Sequence, residues 1–295
     1  MKTLRDELRE MMEERKLSTT AIARSLGVSV AVVSTWLNGK YTGDVAKIDD
    51  SVKGFLEREK ERLKVPKKRL DFLMTSVARK VFEIAVICHL DSELGVCYGE
   101  AGVGKTRAVQ EYARRNHDSI LIEADLGYTA KVLFQELCRK LGGETKGSIH
   151  DMFEYVVARL KDSGRFIIVD EAEHLPYRAL ELLRRIYDKA GVGILLVGMP
   201  RLIANLRGSK EQYTQLYSRV GLAAKLEGLT AQDMQEIVTS VNPGTNGLWK
   251  TYHEIARGNT RVAEKLIFRS IRVANINSVP IDADLVRETS RMLII

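Results

Sequence analysis

Lys105 closes a glycine-rich run, Gly99, Glu100, Ala101, Gly102, Val103 and Gly104, and is followed by Thr106 and Arg107. The spacing G-x-x-x-x-G-K-T suits a loop whose backbone N–H groups turn inward around a phosphate. Gly99, Gly102 and Gly104 put no Cβ in the way, and the N-terminus of a following helix adds the positive end of its dipole. A lysine at 105 reaches the β- and γ-phosphates of a nucleotide, and the Thr106 hydroxyl can ligate Mg2+. The run follows an apolar stretch, LGVCY, and opens a helical one, TRAVQEYARR. Residues 99–107 are therefore expected to hold ATP.

A second group lies in RFIIVDEAEHL, where an apolar strand ends in Asp170 and Glu171. Open α/β sheets bind ligands at the C-terminal ends of their strands. Asp170 is expected to hold Mg2+ through its water shell, and Glu171 to orient and polarise the water that attacks the γ-phosphate. His174 follows closely, but EAEH lacks the HExxH zinc spacing, so a capping or surface role is expected. Cys88, Cys97 and Cys138 have no CxxC spacing and read as buried, reduced thiols.

Positioning these groups requires strands that alternate with helices. LGVCYG from Leu94, ILIEAD from Ile120, RFIIVDE from Arg165, GILLVGM from Gly193 and GLAAKLEG from Gly221 are too apolar for one-faced strands, and helical stretches join them. The expected fold is α/β, a five-stranded parallel sheet covered on both faces. After Gly228 only helical patterns remain, so a small α-helical domain is expected over 228–295, behind a nucleotide-binding core over 71–227.

The first 64 residues read as an all-α domain of short helices. Thr3 and Asp6 have capping-box spacing. Helices are expected at about Thr19 to Leu26 and Val30 to Leu37, with Gly27 at the turn and Ser29 as N-cap. Ala23, Gly27 and Val33 stand at helix-turn-helix spacing, which leaves Ser29, Ala31, Ser34, Thr35, Asn38 and Lys40 exposed toward DNA, while Trp36 and Leu37 pack inside. A three-helix bundle that binds nothing fits the same pattern. The charged helical run LEREKERLKVPKKRL, stopped at Pro66, has few ways to pack and reads as leading into a linker over 65–70, with Lys67, Lys68 and Arg69 as secondary DNA contacts.

Charge follows the same division. Residues 1–70 carry 16 Lys and Arg against 11 Asp and Glu, so most of the formal +7 of this 295-residue chain lies in its first quarter. Such asymmetry suits a polyanion partner or a solvated basic surface. No apolar run reaches membrane-spanning length and residues 1–14 are too charged for a secretory signal, so no membrane partner and a cytoplasmic location are expected.

The motifs GEAGVGKT, IIVDEAEHL, LLVGMPRL, YSRV and GNTRVAEKL, in that order, resemble those of AAA+ ATPases. With the helix-turn-helix ahead of them, nearly the whole chain resembles the phage Mu B-like transposition proteins, ATP-dependent target-DNA activators of DDE transposases. The resemblance implies an AAA+ core, a C-terminal lid, Arg219 of YSRV as the finger that reaches a neighbouring subunit's γ-phosphate, with Arg207 as the alternative, and Arg261 of GNTR as a lid sensor. It also implies a homo-oligomeric helical filament on nonspecific double-stranded DNA, with Tyr128, Thr129, Lys131 and Lys146 toward the DNA phosphates. Met199 departs from the pattern, since many AAA+ proteins carry a polar residue at that strand end. This favours a slow switch over a motor. A helix-turn-helix transcription regulator with ATP-controlled oligomerisation is the alternative; SVAVVSTW offers no Arg, Asn or Gln before Asn38 for bidentate base contacts. A helicase loader or initiator would use the same switch with another partner.

Overall fold

The capping box expected at Thr3 and Asp6 is formed in the computed structural model, where Asp6 N–H donates to Thr3 Oγ1 at 3.3 Å and Thr3 N–H donates to Asp6 Oδ2 at 3.1 Å. The structure describes residues 3–64, 70–207, 217–244 and 247–293, without the side chains of 61–64. Pro66, Lys67, Lys68 and Arg69 lie outside the described residues. The chain divides into two compact units, Met1–Lys68 and Arg69–Ile295.

In the first unit the box starts α1 (Leu4–Glu14). Ser18 caps α2 (Thr19–Leu26), which ends at Gly27 in the left-handed region (φ 69°), and Ser29 caps α3 (Val30–Leu37). The two helices meet at a bend of 110°, within the helix-turn-helix range. Trp36 is buried and its indole N–H donates to Asp49 at 2.8 Å.

The described part of the charged helical run, through Lys64, belongs to α4 (Val45–Lys64), a 20-residue helix and not a short one, and it packs rather than standing free. Ile48, Val52, Phe55, Leu56 and Glu59 fall on one helical stripe and are all buried, so the core-facing pattern continues through LERE. Glu59 is buried because Arg15 supplies an ion pair.

In the second unit β1 (Leu94–Gly99), β2 (Ser119–Glu123), β3 (Phe166–Asp170), β4 (Gly193–Gly198) and β5 (Val220–Leu226) form one sheet in the order β2-β3-β4-β1-β5, every pair parallel. Ile120, Ile122, Ile167, Val169, Ile194 and Leu196 pack on one face against α7 (Ala130–Lys140), α8 (Ile149–Leu160) and α9 (Tyr177–Ala190). Phe166, Ile168, Leu195 and Val197 point the other way, toward α5 (Ser76–Leu90) and α6 (Lys105–Arg115). Period-two alternation with both faces buried gives the continuous apolar runs of the sequence. The three cysteines are free and buried within this unit, and burial pushes the Cys88 and Cys97 thiols up to about 12.

Beyond β4 runs α10 (Arg201–Arg207), and after β5 come α11 (Ala231–Val241), α12 (Trp249–Ala256), α13 (Thr260–Asn277) and α14 (Ala283–Ser290). The last four helices enclose their own core around Met234, Tyr252, Leu266 and Val286. Among the described residues no single helix is long and apolar enough to cross a membrane.

Candidate active site

The strand order decides what meets at the sheet edge. β4 lies between β1 and β3, so the end of β4 separates the glycine-rich loop that leaves β1 from the acid pair that leaves β3. A cleft of about 410 Å3 opens there, lined by Ala101, Gly102, Gly104, Lys105, Thr106 and Arg107 of the loop, Asp170, Glu171, Glu173 and His174 after β3, Gly198 and Met199 at β4, and Thr260, Arg261 and Glu264 of α13.

Gly104 starts α6 at φ 108° with no side-chain cap, so the first N–H groups of this helix have no capping oxygen and face the position a phosphate would take. Lys105 is buried; its ammonium donates to the carbonyls of Gly99 at 2.7 Å and Glu100 at 2.8 Å. Burial lowers its pKa, opposed by the negative charge of Asp170 and Glu173. Asp170 is 1% exposed, and burial raises its pKa against the hydrogen bond from the Thr106 hydroxyl. Its Oδ1 also accepts the Glu171 N–H at 3.0 Å.

Glu171 takes the left-handed conformation (φ 51°, ψ 36°), unusual for a residue with a Cβ, and this turns its carboxylate out of the strand direction into the cleft. A 3-10 turn, Ala172–His174, follows. It brings His174 Nε2 to 3.4 Å from Glu171 Oε2, with the imidazole only 14% exposed. His174 thus lies in the cleft and not in a capping or surface position, because the turn folds the chain back across the strand end.

The lid meets the loop directly. Asn259 Nδ2 donates to the Ala101 carbonyl at 3.1 Å, Arg261 N–H to Gly102 at 3.2 Å and Thr260 Oγ1 to Val103 at 3.0 Å. The same Asn259 caps α13 through Val262 N–H. Three successive loop carbonyls thus bond three successive residues at the start of α13, which puts Arg261 beside the cleft of its own chain.

Residues 89–206 match the model of the AAA domain, and residues 7–48 that of the Cro/C1-type HTH DNA-binding domain. The chain is 28% identical over 243 residues to the Mu-like prophage FluMu DNA transposition protein B of Haemophilus influenzae, covering 80% of this chain and 84% of that one. It is 25% identical over 300 residues to the ATP-dependent target DNA activator B of Escherichia phage Mu, covering 98% and 95%. This chain contains an AAA domain and is an ATPase homologous to the Mu B transposition proteins. Its fold is similar to that of the Aeropyrum pernix ORC1 protein solved in complex with DNA, with a TM-score of 0.56 at 18% identity over 79% of this chain and 69% of that one.

Other expected site residues of the ATPase fall elsewhere. Arg219, in the turn just before β5, is half-exposed and pairs with Asp188 at 3.2 Å, outside its own cleft. Arg207 is bonded to Tyr217 at 3.2 Å. Ser29, Ala31, Ser34, Thr35, Asn38 and Lys40 are all exposed, but Thr35 Oγ1 donates to Ala31 at 2.7 Å and Ser29 is engaged as N-cap. Lys131 and Lys146 are exposed, and Thr129 caps α7. Tyr128 is half-buried, its hydroxyl donates to Glu136 at 3.1 Å, and burial pushes its pKa up to about 12.

Sequence reasoning missed Glu173, Asn259, Thr260 and Arg201. Asn259 carried a signal, an N-cap residue before a helical run. The other three carried none, because their roles depend on neighbours distant along the chain.

Proposed function

We propose that this ATPase is a target-DNA activator that binds nonspecific double-stranded DNA as an ATP-dependent helical filament, delivers it to a DDE transposase and releases it on hydrolysis. The observation that carries the reading is the docking of α13 on the carbonyls of Ala101, Gly102 and Val103. A lid bonded to the loop that grips the phosphates must respond when that loop fills, and lid position is one of the determinants of how subunits meet. The names of the relatives, DNA transposition protein B and ATP-dependent target DNA activator B, support the same reading.

Lys105 exchanges its loop carbonyls for the β- and γ-phosphates, and the uncapped start of α6 supplies N–H donors to them. The Thr106 hydroxyl and the buried Asp170 carboxylate form a hard oxygen pair that fits Mg2+, which prefers few protein ligands alongside phosphate oxygens and water. These two groups would hold Mg2+, which would supply positive charge against the phosphates. Glu171 orients a water toward the γ-phosphorus; the new P–O bond forms as the bond to the β-phosphate bridging oxygen breaks, leaving ADP and phosphate. Arg261 meets the γ-phosphate within the subunit and Arg219 meets that of a neighbour, so the nucleotide stabilises the subunit interface and hydrolysis weakens it. Ser34, Asn38 and Lys40 on the helix-turn-helix and Lys131 and Lys146 on the core contact DNA phosphates.

The match of residues 7–48 to a Cro/C1-type DNA-binding domain favours the transcription-regulator reading as second. Its recognition helix is poorly equipped for base contacts, since the Thr35 hydroxyl is engaged with its own helix. Co-sedimentation with random-sequence duplex DNA in ATP, ADP or no nucleotide, at two salt concentrations, separates the two. The activator pellets as filaments only with ATP; the regulator gives discrete complexes and a sharp consensus in binding-site selection.

A further inference from the structure

The end of β4 is where a polar side chain would complete the water site, and here it carries Gly198 and Met199. The cleft has another polar route to Glu171. Arg201, first residue of α10, reaches back so that one guanidinium nitrogen lies 3.1 Å from His174 Nδ1 and 3.2 Å from Nε2. The guanidinium is also 4.0 Å from Glu173 Oε1. Glu173 is itself held in place: its side chain is 3% exposed, and Asn205 Nδ2 donates to its backbone carbonyl at 3.1 Å. The carboxylate fits only because residue 198 is glycine, since a Cβ there would lie 2.2 Å from Glu173 Oε2.

These contacts favour one tautomer of the neutral imidazole, the one in which Nδ1, marginally the nearer nitrogen, accepts. An arginine can only donate, so the ring nitrogen that takes its hydrogen bond must be an acceptor and the other carries the hydrogen. With Nδ1 accepting from Arg201, Nε2–H faces Glu171 Oε2 at 3.4 Å. Glu171 is otherwise more than half exposed, on a backbone held in the left-handed region, so among the described residues little else fixes its carboxylate.

We propose that His174, held by Arg201, whose guanidinium lies beside Glu173, is a positioning residue for Glu171, supplying from α10 the polar support that the strand end lacks at Met199. This rests on the reading of Glu171 as the group that orients the attacking water. The support acts on turnover and not on nucleotide binding, because His174 touches the carboxylate and not the phosphate loop.

The test measures ATP turnover, KM and binding of a fluorescent ATP analogue for full-length variants, with thermal melting to confirm folding. His174→Ala should lower kcat about 10-fold, the low end of the loss seen when a partner that orients a functional group is removed, with KM and analogue affinity within about 2-fold. His174→Gln, whose amide nitrogen reaches the Nε2 position, should keep most of the turnover, whereas His174→Asn, whose amide reaches only the Nδ1 position, should behave like alanine. Arg201→Ala should give the same split, and the double variant His174→Ala/Arg201→Ala should be no slower than the worse single one, because the two act in series. Full turnover in His174→Ala, equal loss in His174→Gln and His174→Asn, or additive losses with Arg201→Ala would overturn the proposal. Glu171→Gln is the reference. If it loses turnover while His174→Ala does not, only the positioning role fails; if it keeps turnover, the reading of Glu171 fails and the proposal with it.

Discussion

A Cβ on Gly102 would lie 2.4 Å from Asn259 Oδ1, so the phosphate loop and the lid helix touch at a point with no room for a methyl group. Gly102 also sits at φ 84°, where alanine is strained by about 1–3 kcal/mol. Gly102→Ala should weaken ATP-analogue binding by at least about 10-fold, the equivalent of ~1.4 kcal/mol. Adding Asn259→Ala removes the clash but not the strain, so the double variant should recover part of the loss in the same titration. A double variant no better than Gly102→Ala would mean that the lid contact is incidental.

Asp233 ties the lid to the core. It is fully buried, accepts the Ser76 N–H of α5 at 2.8 Å and the N–H of Thr230, the N-cap of α11, at 2.8 Å, and takes the Ser76 hydroxyl as well. Asp233→Ala leaves these donors without their acceptor and should destabilise the protein by about 3 kcal/mol in urea unfolding, with Asp233→Asn costing less.

The same residue sets a pH dependence. Burial raises the Asp233 pKa, but the hydrogen bonds from Ser76 and Thr230 outweigh it and hold the carboxyl below its ordinary 3.8. A depressed folded-state value means that the unfolded chain binds more protons in this window. The contribution is therefore complete above pH 3.8 and is lost as pH falls through the folded value. Melting temperatures from pH 5 downward should fall less steeply in Asp233→Asn than in the unaltered chain.

Arg219 points away from its own cleft and pairs with Asp188, which fits action on a neighbouring subunit. Arg219→Ala and Glu171→Gln should each be nearly inactive alone. Mixed on DNA, they should regain turnover, because a Glu171→Gln subunit can offer its Arg219 to an intact loop next door. A mixture no faster than its parts would remove Arg219 from that role and bring Arg207→Ala into the same assay.

Lys131 and Lys146 are exposed on the core. If each neutralises one phosphate, each alanine variant should reduce the slope of log affinity against log salt by about 0.9 per subunit, uniformly across DNA sequences. An unchanged slope would place them off the DNA path.

The sequence by itself determined the local chemistry and the local elements. Gly104, Lys105 and Thr106 act through backbone freedom and reach within one loop, and Ser29, Thr3 and Asp6 cap within three residues, so spacing alone makes them legible. The strands were legible because a sheet buried on both faces leaves continuous apolar runs. What spans long stretches of chain was not. The packing of α4 as far as Glu59 was hidden because this residue, charged in sequence, is buried where Arg15, 44 residues earlier, pairs with it. His174 looked peripheral until the strand order brought Arg201 beside it, and the lid's grip on the loop joins Ala101 to Asn259 across 158 residues. Caps, turns and periodicity are set by neighbours in the chain; which carboxylate meets which cation is set by strand order, and only the tertiary structure decides that.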